Sequence, residues 1–241
     1  MMWLWRIFFS GLLLSGNVAL ASSVSGRVQL KDSGDVLVRK KMDYSGVVVY
    51  LKPAAVVAAS ALSWSKHAQM IQKNKTFVPH VLPIEVGTLV DFPNFDPIFH
   101  NAFSNYNGQL FDVGLYRPGS TRSVRFKRPG VVRVFCNIHA TMSAVILVLD
   151  TPYFATTDRA GAFDLQGVPP GDYDLGVFHE RATEQTLTAL GRRVVVPTFP
   201  LPAVNIEISE SGFLPIPHKN KYGQSYPPQL DEHTVYPVVR N

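Results

Sequence analysis

Val131-Val132-Arg133-Val134-Phe135-Cys136-Asn137-Ile138-His139-Ala140-Thr141-Met142 reads as a strand running into a loop that carries three metal-binding side chains. In an extended chain, residues two apart share a face, so Cys136 is expected to enter the same core as Val132 and Val134. It is the only cysteine among 241 residues, and a histidine and a methionine follow it within one turn of loop. Cysteine and methionine sulfur favour soft metals such as copper, and a trigonal His-His-Cys set with a weak axial Met is the arrangement of copper electron-transfer sites. The loop supplies one imidazole. His100 can supply the second: it follows Val90-Asp91-Phe92-Pro93-Asn94-Phe95 and lies 36 residues upstream of Cys136, far enough for the chain to leave and return across a small β-barrel or sandwich.

Other readings of these residues are weaker. A lone cysteine often serves as a small core hydrophobe, but here it coincides with His, Met and an upstream His-Asn in register. Structural zinc usually takes a closed Cys/His set with paired spacings, and this chain offers one thiolate. A nucleophilic thiolate needs access for substrate, whereas Cys136 ends an apolar strand.

The segment from about Ala68 to Leu149 resembles the cupredoxins, the small blue-copper proteins that include plastocyanin, pseudoazurin and amicyanin. The likeness rests on the Val86-Gly87-Thr88 turn, then Val90 to Asn94, then His100-Asn101, then the strand into Cys136, with the short Cys-x-x-His-x-x-Met spacing of the amicyanin loop. It implies one type 1 copper ion held by His100, Cys136 and His139, with Met142 as the weak axial ligand. It also implies that Asn101 braces the first histidine's loop against the cysteine loop, and that the His139 edge is an electron port within an apolar rim, for which Pro97, Ile98, Phe99 and Ala140 are candidates.

A second pattern follows. Thr157-Asp158-Arg159-Ala160-Gly161-Ala162-Phe163-Asp164-Leu165 and Val168-Pro169-Pro170-Gly171-Asp172-Tyr173-Asp174-Leu175 are two turns, each leading into a strand with alternate apolar residues. The string resembles the carboxypeptidase regulatory-like domain, a transthyretin-like β-sandwich. Val24 to Val28 and Gly46 to Leu51 look like that sandwich's opening strands. Chains of this two-part build resemble methylamine-utilisation proteins, although no residue here speaks for amine chemistry.

Short Val, Ile, Phe and Tyr runs bounded by Gly, Pro, Asn and Asp recur throughout, and no helical period is sustained. The chain is therefore expected to be all-β: a cupredoxin Greek-key barrel or sandwich plus a transthyretin-like sandwich. Strands are expected at 24–30, 47–51, 69–72, 81–85, 89–92, 121–126, 131–135, 144–149, 173–178 and 204–208, and one short helix or flexible connector at 54–62. The preferred organisation is an insertion: 22–54 and 151–210 make one sandwich, and 66–150 forms the cupredoxin within it. Plain tandem order is the rival. Residues 211–241, rich in Pro and Tyr, are expected to lie extended across the sandwich or to await a partner.

Residues 1–21 combine Arg6, the apolar stretch Ile7 to Leu14 and Ala19-Leu20-Ala21. They read as a secretory signal peptide cleaved after Ala21, too short and broken to span a bilayer, which takes about 20 apolar residues. A periplasmic or secreted protein follows, with no stable membrane insertion. An unpaired cysteine in an oxidising space finds its explanation in metal ligation.

The formal charge is +5, and removing Arg6 leaves +4. Six basic residues (Arg117, Arg122, Arg125, Lys127, Arg128, Arg133) and no acid lie between Val113 and Leu149. Such a run can steer an acidic partner; the simpler account places Arg125 and Lys127 on the wet face of a strand. Nucleic acid is not an expected partner. The remaining histidines, His67, His80, His179, His218 and His233, show no ligand spacing and are expected at the surface or at strand ends.

The expected function is one-electron transfer with a transient redox partner, a cytochrome or a dehydrogenase, and no enzymatic activity. Copper storage or delivery, and a non-redox structural β-protein with a vestigial site, are the readings from other classes.

Overall fold

A computed structural model describes residues 22–55, 66–105, 108–199, 201–215 and 217–227. The proposed signal peptide, His233 and nearly all of the alanine-rich 54–62 stretch lie outside the described residues. In chain order the elements are β1 (Ser22–Lys31), α1 (Val36–Lys41), β2 (Val48–Pro53), β3 (His67–Gln69), β4 (Ile71–Lys73), β5 (Thr76–Val78), β6 (Val81–Glu85), β7 (Leu89–Pro93), β8 (Phe103–Ser104) and β9 (Phe111–Asp112). There follow β10 (Thr121–Arg125), β11 (Gly130–Phe135), β12 (Ser143–Leu149), β13 (Phe154–Thr156), β14 (Ala162–Val168), β15 (Gly171–Phe178), α2 (Glu184–Leu190), β16 (Arg192–Val196) and β17 (Val204–Ser209). The described residues are all-β apart from the two short helices.

The strands form two sets. In the first, β1 lies between β14, antiparallel to it, and β17, parallel to it, while a second sheet runs β13-β2-β15-β16. The other set is built from the chain in between: a five-stranded sheet, β6-β12-β11-β8-β9, and a three-stranded one, β10-β7-β3, with the β4–β5 hairpin beside them. The chain thus starts in one set, builds the other, and returns.

Side-chain alternation then stacks the four main sheets. Val24, Val28, Phe163, Leu165, Ile206 and Ile208 of the first sheet pack on Val49, Leu51, Leu175 and Val177 of the second. Val48 and Phe178, on the far face of that second sheet, meet Val145, Leu147 and Leu149 of β12. The intervening β12 residues, Ala144, Ile146 and Val148, face the opposite way, into a core with Val132, Val134, Cys136, Val90, Phe92, Phe126 and Met142. A strand with both faces buried carries a continuous apolar run instead of an alternating one, which is how Ala144 to Leu149 reads.

Most expected strands match to within a residue or two. The stretch 69–72 is an exception: it divides into β3 and β4, because Met70 is buried and its N–H donates to Asp91 O at 2.9 Å while the chain steps from one partner to the next. Arg125 is half-buried rather than on a wet face, and its guanidinium donates to Gly87 O at 2.6 Å.

His179 closes a strand as expected but is not at the surface. At 4% exposure it sits against Glu210 (Nε2 to Oε1, 2.8 Å), which also takes Arg181 and the Ser33 hydroxyl. Burial holds the His179 imidazole below its usual range, with Glu210 opposing. This network ties the end of β15 to the end of β17.

Candidate metal centre

Two loops at one end of the second set carry the site. The first, between β7 and β8, is braced by Asn94, whose Oδ1 accepts from Asp96 N (3.0 Å) and whose Nδ2 donates to Ile98 O (2.8 Å). His100 follows and exchanges two backbone hydrogen bonds with Tyr116, at 3.1 and 2.9 Å. The second loop joins β11 to β12. Cys136 N–H donates to Met142 O (3.2 Å) and Met142 N–H to His139 O (3.1 Å), which closes the loop tightly and fixes three candidate ligands at once.

The side chains converge. Nδ1 of His139 lies 3.5 Å from Cys136 Sγ and Nδ1 of His100 lies 3.9 Å from it. One ligand atom from each of the three falls within 4.8 Å of the others. His100, Cys136 and Met142 have no exposed surface and His139 keeps 8%. Met142 belongs to the same core as Cys136.

The electrostatics suit a neutral set of donors. Burial pushes the Cys136 thiol above its usual range, while the backbone N–H groups of Ile138, Asn101 and His139 favour the thiolate. Burial also lowers both imidazoles, that of His139 to about 4, so both stay neutral with lone pairs available. A thiol stabilised by three amide donors once ionised, with two neutral imidazole nitrogens facing it, fits a soft cation of copper type.

Asn101 departs from its expected role. Its side chain donates to Asp112 Oδ1 (2.7 Å) and Gly114 O (2.9 Å), so it braces the loop before Tyr116; toward the cysteine it is the backbone N–H of Asn101 that points at the sulfur. Among the expected rim residues, Pro97 and Phe99 are exposed, whereas Ile98 and Ala140 are half-buried. Phe95 and Ile138, at 63% and 37% exposure, extend the apolar surface beside both loops.

Sequence reasoning missed two contributors. Asp96 bonds the far nitrogen of His100, Nε2, at 2.8 Å. The described residues 218–226 lie over the ligand loop, not across the first set of sheets. Tyr226 Oη donates to Cys136 O (2.7 Å), Lys221 N–H to Asn137 Oδ1 (2.9 Å), and the His218 ring stacks on Phe135 at 4.2 Å. His218 is therefore not a free surface residue. The Tyr and Lys content of the tail gave no hint of where it docks.

No protein-family model and no curated protein sequence matches this chain. Solved structures similar to parts of it include a purple cupredoxin from Nitrosopumilus maritimus, 29% identical, covering 34% of this chain and 99% of that one with a TM-score of 0.32. The copper-containing nitrite reductase NirK from Thermus scotoductus SA-01 is 28% identical over 41% of this chain and 25% of that one, TM-score 0.34. A reduced mutant of amicyanin is 18% identical over 41% and 91%, TM-score 0.33. The chain spans a quarter of the nitrite reductase.

Proposed function

We propose that this is an exported type 1 copper protein that carries one electron at a time between redox partners. The observation that carries this reading is the buried thiol of Cys136 with one imidazole nitrogen at 3.5 Å and a second at 3.9 Å. When bound there, copper would supply a reversible one-electron couple. His100, Cys136 and His139 would hold it, with Met142 as the weak fourth ligand. The protein's part is to keep those donors in place in both oxidation states, and the two loop-closing hydrogen bonds at Met142 and the paired bonds at Tyr116 serve that end.

Burial favours a carrier over the other readings. A delivery protein needs an exposed, exchangeable site, and three of the four donors here have no exposed surface. Three convergent donors argue against a vestigial set. An enzyme needs room for substrate beside the reacting atoms, whereas an electron needs only the His139 edge and the apolar rim of Phe95, Pro97, Phe99 and Ile138, which would dock a partner transiently. In this reading residues 66–150 are a cupredoxin unit inserted into a regulatory-like sandwich made of 22–54 and 151–210. Residues 1–21 direct export.

The test is spectroscopic. Copper-loaded protein is expected to absorb intensely near ~600 nm, the charge-transfer region of this ligand set, and to bleach and recover with reductant and oxidant. Cys136→Ser abolishes the colour; Met142→Leu keeps it with an altered potential. Full colour in Cys136→Ser would overturn the ligand assignment. Rapid loss of copper to a weak chelator, with poor cycling, would favour delivery.

A further inference from the structure

Asp96 is a carboxylate almost sealed from water, with 8% of its side chain exposed. Its oxygens meet three donors: Oδ1 accepts from Asn74 N–H (2.6 Å), while Oδ2 accepts from Lys75 N–H (2.9 Å) and faces His100 Nε2 at 2.8 Å. The two amides come from the turn of the β4–β5 hairpin, where Asn74 and Lys75 have φ of 55° and 54°. That left-handed pair closes a two-residue hairpin and aims successive N–H groups at one point, a cradle for an anion.

An ionised carboxylate only accepts hydrogen bonds, so the ring nitrogen facing it carries the proton. The lone pair is left on Nδ1, the nitrogen that looks at Cys136 Sγ. We propose that Asp96 is the positioning residue of the metal centre, holding His100 as the Nε2–H tautomer with Nδ1 turned to the thiolate, and that the β4–β5 turn holds Asp96. Its geometry stands alone; its consequence for copper rests on the function proposed above. A carboxylate behind a ligating imidazole fixes the ring and raises its basicity, and losing such a partner typically costs about 10–100-fold in metal affinity. A more basic imidazole favours the more highly charged ion, so the carboxylate lowers the potential.

The experiment compares the full chain with Asp96→Asn and Asp96→Ala. Nitrogen NMR of the metal-free protein is expected to show His100 protonated at Nε2 alone, and a mixture of tautomers in Asp96→Ala. Copper affinity is expected to fall about 10–100-fold in Asp96→Ala. Asp96→Asn, which keeps the side chain's size, is expected to raise the reduction potential, by about 59 mV for each tenfold loss of preference for the oxidised ion. A residue that merely stiffened the loop would change unfolding without moving the tautomer or the potential. An Nδ1–H tautomer in the parent protein, or variants with unchanged tautomer, affinity and potential, would overturn the proposal while a blue parent protein left the copper reading intact. A parent protein that takes up copper without colour would sink the type 1 carrier reading, and the metal-free NMR comparison would still decide the role of Asp96.

Discussion

At Cys136 two influences oppose each other: burial favours the thiol, while three backbone N–H groups favour the thiolate. The thiol prevails in the metal-free protein, and both neighbouring imidazoles are neutral at about pH 7 because burial lowers them. Copper uptake should therefore release about one proton, that of the thiol, and affinity should fall about tenfold per pH unit on acidification. Titration calorimetry in buffers of differing ionisation enthalpy would count that proton; a value near zero would mean that the thiolate is already present. The same imidazoles bear on stability. His139, near 6.5 in the unfolded chain and about 4 in the fold, binds its proton first when unfolded. The metal-free protein should be stable above about pH 6.5 and lose stability steadily as pH falls toward about 4, with His100 acting in the same direction, as urea midpoints across that range would record. The meeting of His100, Cys136 and His139 was legible because Cys136 and His139 sit on one loop and His100 follows a readable strand. Asp96 was not: before Pro97 it reads as a turn former, and only the hairpin 20-odd residues upstream reveals its employment.

Among the elements, β1 is tightly hemmed in. A Cβ on Gly26 would lie 1.9 Å from Val204 O and 2.7 Å from the Phe163 ring, between the two strands that flank β1. Gly26→Ala should cost about 1–3 kcal/mol through overpacking, read as a lowered denaturation midpoint, with the colour of the copper-loaded protein unchanged, since this contact belongs to the other core. Most of the longer strands were legible from alternation and turn residues, as at β6, whose span 81–85 was read in full, whereas the short β5, β8, β9 and β13, and also β16, were not among those expected. The helices were not, although their caps stand in the sequence. Asp35 accepts from Leu37 N–H ahead of α1, and Thr183 from Thr186 N–H ahead of α2. Six and seven residues are too few to display a helical period. Replacing Thr183 by Ala should cost about 1 kcal/mol by the same denaturation assay, again without touching the copper spectrum.

For the molecule as a whole, β12 is the shared wall. Its Ile146 side faces the metal core, and its Val145, Leu147 and Leu149 side packs on Val48 and Phe178. Phe178→Ala should therefore cost about 3–5 kcal/mol. An isolated fragment of residues 66–150 would expose that second face and is expected to self-associate at concentrations where the full chain does not, as sedimentation would show. The pairing of β1 with β17 has a further consequence, for the timing of assembly. Among the described residues, every strand paired with one of β3 to β12 comes from that same stretch, whereas residues 26–31 must wait for 204–209 to arrive beside them. Long closures are entropically dear and come late. During refolding, amide protons of β11 and β12 should thus become shielded from exchange before those of β1, leaving a strand early in the chain among the last to find its seat.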